Sequence, residues 1–301
     1  MNLLITGAWD CTKQQVDDIK RLGHEIALLQ QEKDELTCNY EWVEGVICNG
    51  LFLFHDISKF LKLRFIQTTS AGLDRIPLAY CNDHNIVVMN AKGVYSIPMA
   101  EFAISGVLDI YKKRFRFYEH QKQKQWVKER ELLELTNKSV LIVGCGSVGK
   151  ECAKRFEAFG CNVFGVDVSA TSSDHFIKIY PISELGLLLS TCDIVLISLP
   201  LTEKTKNLFD DNNLSLMKDG SILVNISRGG IVDENSLARH LDMNIRGAVI
   251  DVFLDEPLAH RCPLWGKTNV LISPHNSFVG DGNALRLTNL IFKNLEKHGG
   301  S

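Results

Sequence analysis

The chain of 301 residues is 45% hydrophobic and has a formal net charge of −3. This length can bury the cores of about two domains, and the charge provides no basic field that would favour nucleic acid. The nine cysteines include no C-x-x-C pair, which favours small core residues in a reducing cytoplasm over disulfides or a metal site. Since no apolar run approaches a membrane span and no signal-peptide pattern is visible, we expect neither an anchor nor secretion.

The first hundred residues alternate short apolar runs with amphipathic segments. This alternation predicts a parallel sheet with helices on both faces. Ser70-Ala71-Gly72 follows the fourth run, so its backbone N–H groups are expected at the carboxyl edge, where open α/β sheets bind ligands. The predicted strands are 3–6, 25–29, 46–48, 64–68 and 86–89, and the predicted helices are 14–22 and 57–61.

Apolar residues at helical spacing predict one long helix over 98–121, which would join this region to a second one. The second region again alternates strands with helices, as in a doubly wound six-stranded nucleotide domain. Helical periodicity returns over 280–298, so the end of the chain could pack back on the first region. In the second region the predicted strands are 139–143, 161–166, 178–180, 194–198, 222–225, 247–250 and 270–272, and the predicted helices are 150–159, 182–189, 214–217 and 234–240.

A glycine-rich turn joins the first strand and helix of the second region. Gly144, Gly146 and Gly149 suit a tight turn, the close approach of a pyrophosphate, and helix–strand packing. The first free N–H groups of the helix would face the phosphates. Asp167 ends the next strand at about the 20-residue spacing of a carboxylate that binds the adenosine ribose. The alternative is a glycine-punctuated turn in a sheet that binds no nucleotide.

Three polar residues follow apolar strands of the second region, at one edge of the predicted sheet. Arg228 could bind a carboxylate bidentately and polarise a neighbouring carbonyl. His275 could pass a proton to a developing alkoxide, and Glu256 could orient the imidazole and favour its protonated form. This chemistry suits a 2-oxo acid reduced by hydride from NADH. Taken singly, each residue also has a structural explanation, as a turn arginine, a solvated glutamate or a loop histidine.

Ordered sequence matches along nearly the whole chain resemble the D-isomer-specific 2-hydroxyacid dehydrogenases. The resemblance implies two Rossmann-like α/β domains, in which a doubly wound parallel-sheet NAD domain (98–278) is inserted in a flavodoxin-like substrate domain (1–97 and 279–301). It also implies a homodimer, and Arg228, Glu256 and His275 as catalytic residues. The matching stretches are TSAGLD (69–74), NAKGVYS (90–96), MAEFA (99–103), GCGSVG (144–149), LPLTEKT (199–205), NISRG (225–229), DVF (251–253), EP (256–257), PLW (263–265) and SPH (273–275).

The same resemblance implies further binding roles. The amides of Ala71 and Gly72 would hold the substrate carboxylate, and Leu51, Tyr95 and Trp265 are candidates to face its side chain. No metal is implied. The implied cofactor contacts are the pyrophosphate for Ser147 and Val148, the ribose for Asp167, the adenosine half for Pro200 and Thr205, and the nicotinamide carboxamide for Asp251.

The sequence departs from the family pattern in two places. Asn276-Ser277 follows His275 where small apolar residues are commoner, which does not itself indicate lost activity. The stretch Asn49-Gly50-Leu51-Phe52 lacks the arginine that relatives acting on phosphorylated acids often carry near here. Leu51 and Phe52 therefore suggest an apolar side-chain pocket, unless they only pack against the next helix.

Cofactor preference also has a physical basis. Asp167 would repel a 2′-phosphate, and Val168-Ser169-Ala170 offers no arginine to receive one, so we expect NAD(H) rather than NADP(H). The leading hypothesis is reversible reduction of a small 2-oxo acid to the D-2-hydroxy acid. The alternatives are a hydroxypyruvate, glyoxylate or phosphoglycerate-type reductase of the same family, and an NAD-sensing protein similar to the corepressors that resemble this family.

Overall fold

The computed structural model describes residues 1–169 and 172–298. Ala170, one of the residues considered for 2′-phosphate binding, lies outside these ranges. The chain forms two compact units. Unit 1 consists of Met1–Tyr95 with the segment that starts at Gly280, and unit 2 is Ser96–Val279.

The strands and helices alternate through both units. The strands are β1 (Asn2–Thr6), β2 (Glu25–Leu29), β3 (Gly45–Cys48), β4 (Phe65–Thr68), β5 (Val87–Met89), β6 (Ser139–Val143), β7 (Asn162–Asp167), β8 (Lys178–Pro181), β9 (Ile194–Ile197), β10 (Ser221–Asn225), β11 (Ile245–Ile250) and β12 (Val270–Ile272). The α-helices are α1 (Lys13–Arg21), α2 (Leu78–Asp83), α3 (Ser96–Tyr111), α4 (Arg114–Lys122), α5 (Ser147–Ala158), α6 (Leu185–Leu189), α7 (Asp211–Ser215), α8 (Glu234–His240) and α9 (Asn283–His298).

Unit 1 contains a five-stranded parallel sheet in the order β2-β1-β3-β4-β5. Successive residues of β1 point to opposite faces, so Leu4 lies in one hydrophobic cluster and Leu3 in another. The second cluster includes Ile291 of α9, which shows that the C-terminal helix packs on this sheet. The strand order is the flavodoxin-like one, as expected from the sequence.

Unit 2 contains a seven-stranded parallel sheet in the order β12-β11-β10-β9-β6-β7-β8. Two buried clusters cover its faces, as in a doubly wound domain. All seven strands predicted for this region are present, and only the comparison with a six-stranded nucleotide domain is one strand short. The extra strand is β12, which pairs in parallel with β11 beyond the six strands of the Rossmann order.

The single helix expected over 98–121 is two helices. The buried stripe of α3 ends at Tyr111, and Lys113 then takes a left-handed backbone with φ of 48°. No residue of α4 is buried, so no apolar stripe holds this segment in line with α3. Lys113 also pairs with Glu129 at 3.2 Å, which anchors the turn between the helices.

Smaller differences concern short elements. The helix predicted over 57–61 is a 3-10 turn at Ile57–Lys59, and the one predicted over 214–217 starts earlier, as α7, because Asp210 caps its first turn. All nine cysteines are free thiols. Among the helices described, none combines the length and the hydropathy needed to cross a bilayer.

Candidate active site

The glycine turn of unit 2 joins β6 to α5. Gly144 has φ of +100°, and a Cβ there would lie 2.8 Å from the carbonyl oxygen of Ser198. A Cβ on Gly149 would lie 2.1 Å from the carbonyl oxygen of Gly144. Around Gly146, by contrast, a Cβ would meet no atom within 4 Å. The fold itself therefore requires Gly144 and Gly149, whereas Gly146 leaves an open cradle.

The open cradle lies at the start of α5. The first N–H groups of a helix have no intrahelical acceptor, and Gly146 at the N-cap provides no side chain to satisfy them. The amides of Ser147 and Val148 are among these groups. Backbone donors, the helix dipole and the missing side chain at Gly146 together fit a pyrophosphate. The residues present therefore suit a dinucleotide.

Asp167 and Cys145 connect this turn to β7. The amide of Cys145 donates to Oδ2 of Asp167 at 2.8 Å, and the amide of Ser169 donates to Oδ1 at 3.1 Å. Asp167 thus lies beside the glycine turn, where the sequence predicts a ribose carboxylate. The thiol of Cys145 is buried, and burial, reinforced by the charge of Asp167, raises its pKa to about 12. Cys145 is therefore a packing residue and not a nucleophile.

The loop after β9 contains the two residues predicted to flank the adenosine half. Oγ1 of Thr205 donates to the carbonyl oxygen of Pro200 at 2.7 Å, and the amide of Thr202 donates to the Thr205 hydroxyl at 2.8 Å. Thr205 therefore closes this loop on itself and fixes its shape beside β9.

Arg228 follows β10, and its strand register brings it to the edge that also bears the other two predicted catalytic residues. Asn225 pairs with Ile250, and Ile250 pairs with Ile272, so β10, β11 and β12 end side by side. The side-chain amide of Asn225 donates to the carbonyl oxygen of Arg228 at 3.0 Å. The guanidinium donates to the carbonyl oxygen of Ser227 at 2.8 Å and is partly exposed.

His275 and Glu256 form a hydrogen-bonded pair at this edge. Nδ1 of His275 lies 2.8 Å from Oε2 of Glu256, and both side chains are more than a third exposed, at 39% and 37%. Oε1 of Glu256 accepts the amide of Phe253 at 3.0 Å. An ionised carboxylate only accepts hydrogen bonds, so Nδ1 donates and Nε2 is the nitrogen left to act on a substrate.

Asp251 holds the loop that carries His275. It is fully buried, its Oδ1 accepts the hydroxyl of Ser273 at 2.5 Å and the amide of Asn276 at 2.7 Å, and its Oδ2 accepts the amide of Ser277 at 2.9 Å. Its carbonyl oxygen also accepts the amide of His275 at 2.7 Å, which stabilises the left-handed backbone of the histidine, with φ of 51°. Sequence reasoning missed this role, since only the nicotinamide was considered for Asp251.

In unit 1, the loop after β4 has its carbonyl groups occupied. The carbonyl oxygen of Thr69 accepts the hydroxyl of Tyr95. The carbonyls of Ser70, Ala71 and Gly72 accept side chains of Thr68, Asn90 and Ser70 at 2.8, 2.7 and 2.8 Å. Within the described part of the chain the amides of Ala71 and Gly72 have no acceptor. Two successive N–H groups that lack an internal acceptor are suited to binding an anion, and the pair at Ala71 and Gly72 is named the nest.

The candidates for the substrate side chain differ in exposure. Leu51 is fully buried in the core of unit 1, so it packs against its neighbours, as the alternative interpretation proposed, and has no surface for a ligand. Phe52 is partly buried and contacts the ring of Phe60 edge-on at 5.8 Å. Tyr95 is half-buried, and burial raises its pKa. Trp265 is 53% exposed and donates to the carbonyl oxygen of Ala259 at 3.1 Å.

Two family models match this chain. Residues 104–277 match the NAD-binding domain of the D-isomer specific 2-hydroxyacid dehydrogenases, and residues 12–130 match their catalytic domain. The chain belongs to the D-isomer specific 2-hydroxyacid dehydrogenase family. Its members are NAD-dependent dehydrogenases and reductases, and the open glycine turn described above belongs to the matched NAD-binding domain.

Curated relatives of this dehydrogenase carry different substrate names. The (S)-sulfolactate dehydrogenase of Chromohalobacter salexigens is 30% identical over 80% of this chain and 79% of that protein. The glyoxylate/hydroxypyruvate reductase A of Arabidopsis thaliana is 32% identical over 80% of this chain and 77% of that protein. The D-3-phosphoglycerate dehydrogenase of Methanocaldococcus jannaschii is 31% identical over 76% of this chain, and the match spans 44% of that longer protein.

Solved structures of the family share the fold. A D-isomer specific 2-hydroxyacid dehydrogenase family protein from Aeromonas salmonicida superposes with a TM-score of 0.82 at 27% identity, covering 97% of this chain and 94% of that one. The D-lactate dehydrogenase from Aquifex aeolicus, complexed with NAD and lactic acid, superposes with a TM-score of 0.77 at 25% identity, covering 98% and 94%.

Proposed function

We propose that this dehydrogenase reversibly reduces a small 2-oxo acid to the D-2-hydroxy acid with NADH. The observation that carries the proposal is the Glu256–His275 pair at 2.8 Å, at the sheet edge of an NAD-binding domain. A histidine held by a carboxylate is a common general acid–base arrangement. When bound, NADH supplies the hydride.

Each protein group has a defined task in this proposal. The guanidinium of Arg228 binds the carboxylate and draws electron density from the neighbouring carbonyl. Nε2 of His275 donates a proton to the alkoxide oxygen during reduction and accepts it back during oxidation. Glu256 fixes the ring through Nδ1 and stabilises its positive charge while the proton is held.

The amides of Ala71 and Gly72 support a second contact with the substrate carboxylate. Because the carbonyls of this loop are already hydrogen-bonded, the loop can present N–H groups without reorganising. Preorganised donors of this kind add affinity and fix orientation at little entropic cost.

We further propose a preference for NAD(H) over NADP(H). Asp167 supports it, since a carboxylate beside the glycine turn accepts ribose hydroxyls and repels a 2′-phosphate. The test is the ratio of kcat/KM values for NADH and NADPH with one substrate. Comparable values with both cofactors would contradict this preference.

A homodimer in the cytoplasm completes the proposal. The nine free thiols support a reducing compartment. The segment after α3 supports association, because α4 buries none of its residues and Trp126 is 95% exposed. Light scattering of the purified protein measures the mass directly, and a monomer at micromolar concentration would contradict the dimer.

The deciding experiment is a substrate panel. Purified protein is incubated with NADH and a panel of 2-oxo acids whose side chains are uncharged or anionic. We expect NADH to be oxidised with at least one of them, and chiral analysis of the product is expected to give the D isomer. Arg228→Ala is expected to reduce turnover by about 10² or more while NADH still binds. Absence of turnover across glyoxylate, pyruvate, hydroxypyruvate and longer 2-oxo acids would overturn the proposal.

A further inference from the structure

A carboxylate occupies the topological switch point of the sheet in unit 1. Oε1 of Glu32 accepts the hydroxyl of Thr6 at 2.8 Å and the amide of Asn49 at 2.6 Å, and its Oε2 accepts the amide of Gly50 at 2.7 Å. Thr6 ends β1, and Asn49 and Gly50 follow β3. In the order β2-β1-β3 these strands flank the point where flavodoxin-like sheets bind ligands.

The strand register places the Glu32 carboxylate next to the loop after β4, whose amides at Ala71 and Gly72 are proposed to bind the substrate. Cys48 of β3 pairs with Thr68 of β4, and the amide of Thr69 donates to the carbonyl oxygen of Cys48 at 2.8 Å. The loops after β3 and β4 therefore leave the sheet side by side, about 4.8 Å apart as adjacent strands are. The amides held by Glu32 thus lie one strand away from the nest at Ala71 and Gly72.

The occupied amides have a consequence for substrate choice. Two successive N–H groups after a strand could receive the second anionic group of a substrate, but here an internal anion takes both. The negative charge of Glu32 also repels a second anionic group that approaches this loop. Arg75 passes the same loop, its Cδ 3.5 Å from the position of a Cβ on Gly50, but it is exposed and its charge is solvated.

We infer that Glu32 determines specificity by excluding 2-oxo acids that carry a second anionic group. The side chain of the preferred substrate is uncharged. This inference rests on the proposed function, because it concerns the substrate of the same reaction. It also replaces Leu51 as the reason for a neutral side chain, since Leu51 is buried.

The test compares Glu32→Gln with the wild type on two substrates, 2-oxobutanoate and 2-oxoglutarate. The wild type is expected to prefer 2-oxobutanoate. The variant is expected to raise the ratio of kcat/KM for 2-oxoglutarate over 2-oxobutanoate by about tenfold or more, because the repelling charge is gone. Glu35→Gln is the matched control, since it removes the same charge from an exposed position of the same segment and should leave the ratio unchanged.

Further variants and substrates separate the possible results. Glu32→Asp keeps the charge and should keep the discrimination, which also tests the inference if Glu32→Gln does not fold. A wild type that prefers 2-oxoglutarate, or an unchanged ratio in folded Glu32→Gln, overturns the inference and leaves the proposed function intact. A wild type inactive with every 2-oxo acid overturns both.

Discussion

The carboxylate of Glu256 links His275 to the backbone of its own unit through two hydrogen bonds. One oxygen accepts a hydrogen bond from Nδ1 of His275 at 2.8 Å, and the other accepts one from the amide of Phe253 at 3.0 Å. Both acceptor positions face fixed donors, so the carboxylate cannot turn without losing a hydrogen bond. The imidazole is thereby oriented before any substrate arrives. The acid–base role proposed for His275 would benefit from this preorganisation, which favours the transition state over the ground state.

His275→Ala is therefore expected to lower kcat by about 10²–10⁴. The affinity for NADH should change by less than about threefold, because the glycine turn and Asp167 are untouched. Steady-state kinetics and fluorescence titration with NADH measure the two quantities. Glu256→Gln should show a smaller loss of kcat together with an altered pH profile. A His275→Ala variant with wild-type kcat would remove the histidine from the mechanism.

Alanine substitutions at two glycines of the turn are expected to affect different properties, NADH binding at Gly146 and fold stability at Gly149. Gly146→Ala should change the free energy of unfolding by less than about 1 kcal/mol, because the new Cβ meets no protein atom within 4 Å. It should weaken NADH binding at least about tenfold, because the methyl group fills the phosphate cradle. Gly149→Ala should destabilise the fold by about 1–3 kcal/mol, since its Cβ would lie 2.1 Å from a carbonyl oxygen.

Urea unfolding and NADH titration of both glycine variants provide the measurement. If Gly146→Ala binds NADH as tightly as the wild type, the cradle is not where the pyrophosphate binds.

Asp251→Asn is expected to lower the free energy of unfolding by about 2–3 kcal/mol, because one buried acceptor oxygen becomes an NH₂ group that faces amide or hydroxyl donors. It should also lower kcat, because the same carboxylate fixes the His275 loop. Asp255→Asn is the matched control, since Asp255 is exposed in the same region. Equal unfolding curves for the Asp251 variant and the control would contradict the structural role.

The stability contributed by Asp193 is expected to depend on pH. Burial alone would raise the pKa of this carboxyl, but the ammonium of Lys218 at 2.8 Å and the amide of Ser139 at 2.9 Å outweigh burial and lower it. A lowered pKa means that the stabilisation is present above the unfolded value and is lost as the pH falls through the folded one.

Asp193→Asn should therefore cost about 1.5–3 kcal/mol of unfolding free energy near pH 7. The difference from the wild type should shrink below about pH 4, where the unfolded carboxyl binds its proton. Denaturant unfolding at several pH values checks this prediction. A difference that stays constant from pH 7 to pH 3 would contradict it.

The apolar strand patterns predict most of the fold, and the polar residues that follow the strands predict much of the candidate site. The apolar runs predicted as strands are strands, and the central ones, such as β3, β4 and β9, are buried along their whole length because the sheet is covered on both faces. Arg228, Asp251 and His275 follow adjacent strands, and they lie at one edge because parallel strands finish at the same edge. The glycine spacing identifies the turn, but the different demands on Gly146 and Gly149 depend on atoms distant in sequence, such as the carbonyl of Ser198 beside Gly144.

Other features depend on contacts that a sequence does not display. Nothing in the local pattern shows that Lys113 takes a left-handed backbone, since this follows from the end of the buried stripe of α3 and the lack of one in α4. The sequence is equally consistent with Leu51 lining a substrate pocket and with Leu51 packing in the core. Its neighbours in the fold decide between the two. The sequence does not indicate any role for Glu32. Its hydrogen-bond donors, Thr6, Asn49 and Gly50, belong to different strands or the loops after them and meet only in the folded sheet.

The seventh strand also bears on how the enzyme would fail on warming. β12 has three residues, all half-buried, and it is the end strand of the described sheet, paired with β11, yet His275 lies three residues after it. Peripheral strands of this kind open locally at a lower free energy than the centre of a sheet. His275, the proposed proton-transfer residue, thus follows an edge strand, whereas the glycine turn follows the central β6. Hydrogen exchange should be faster at β12 than at β6, and heat should abolish turnover before it releases NADH.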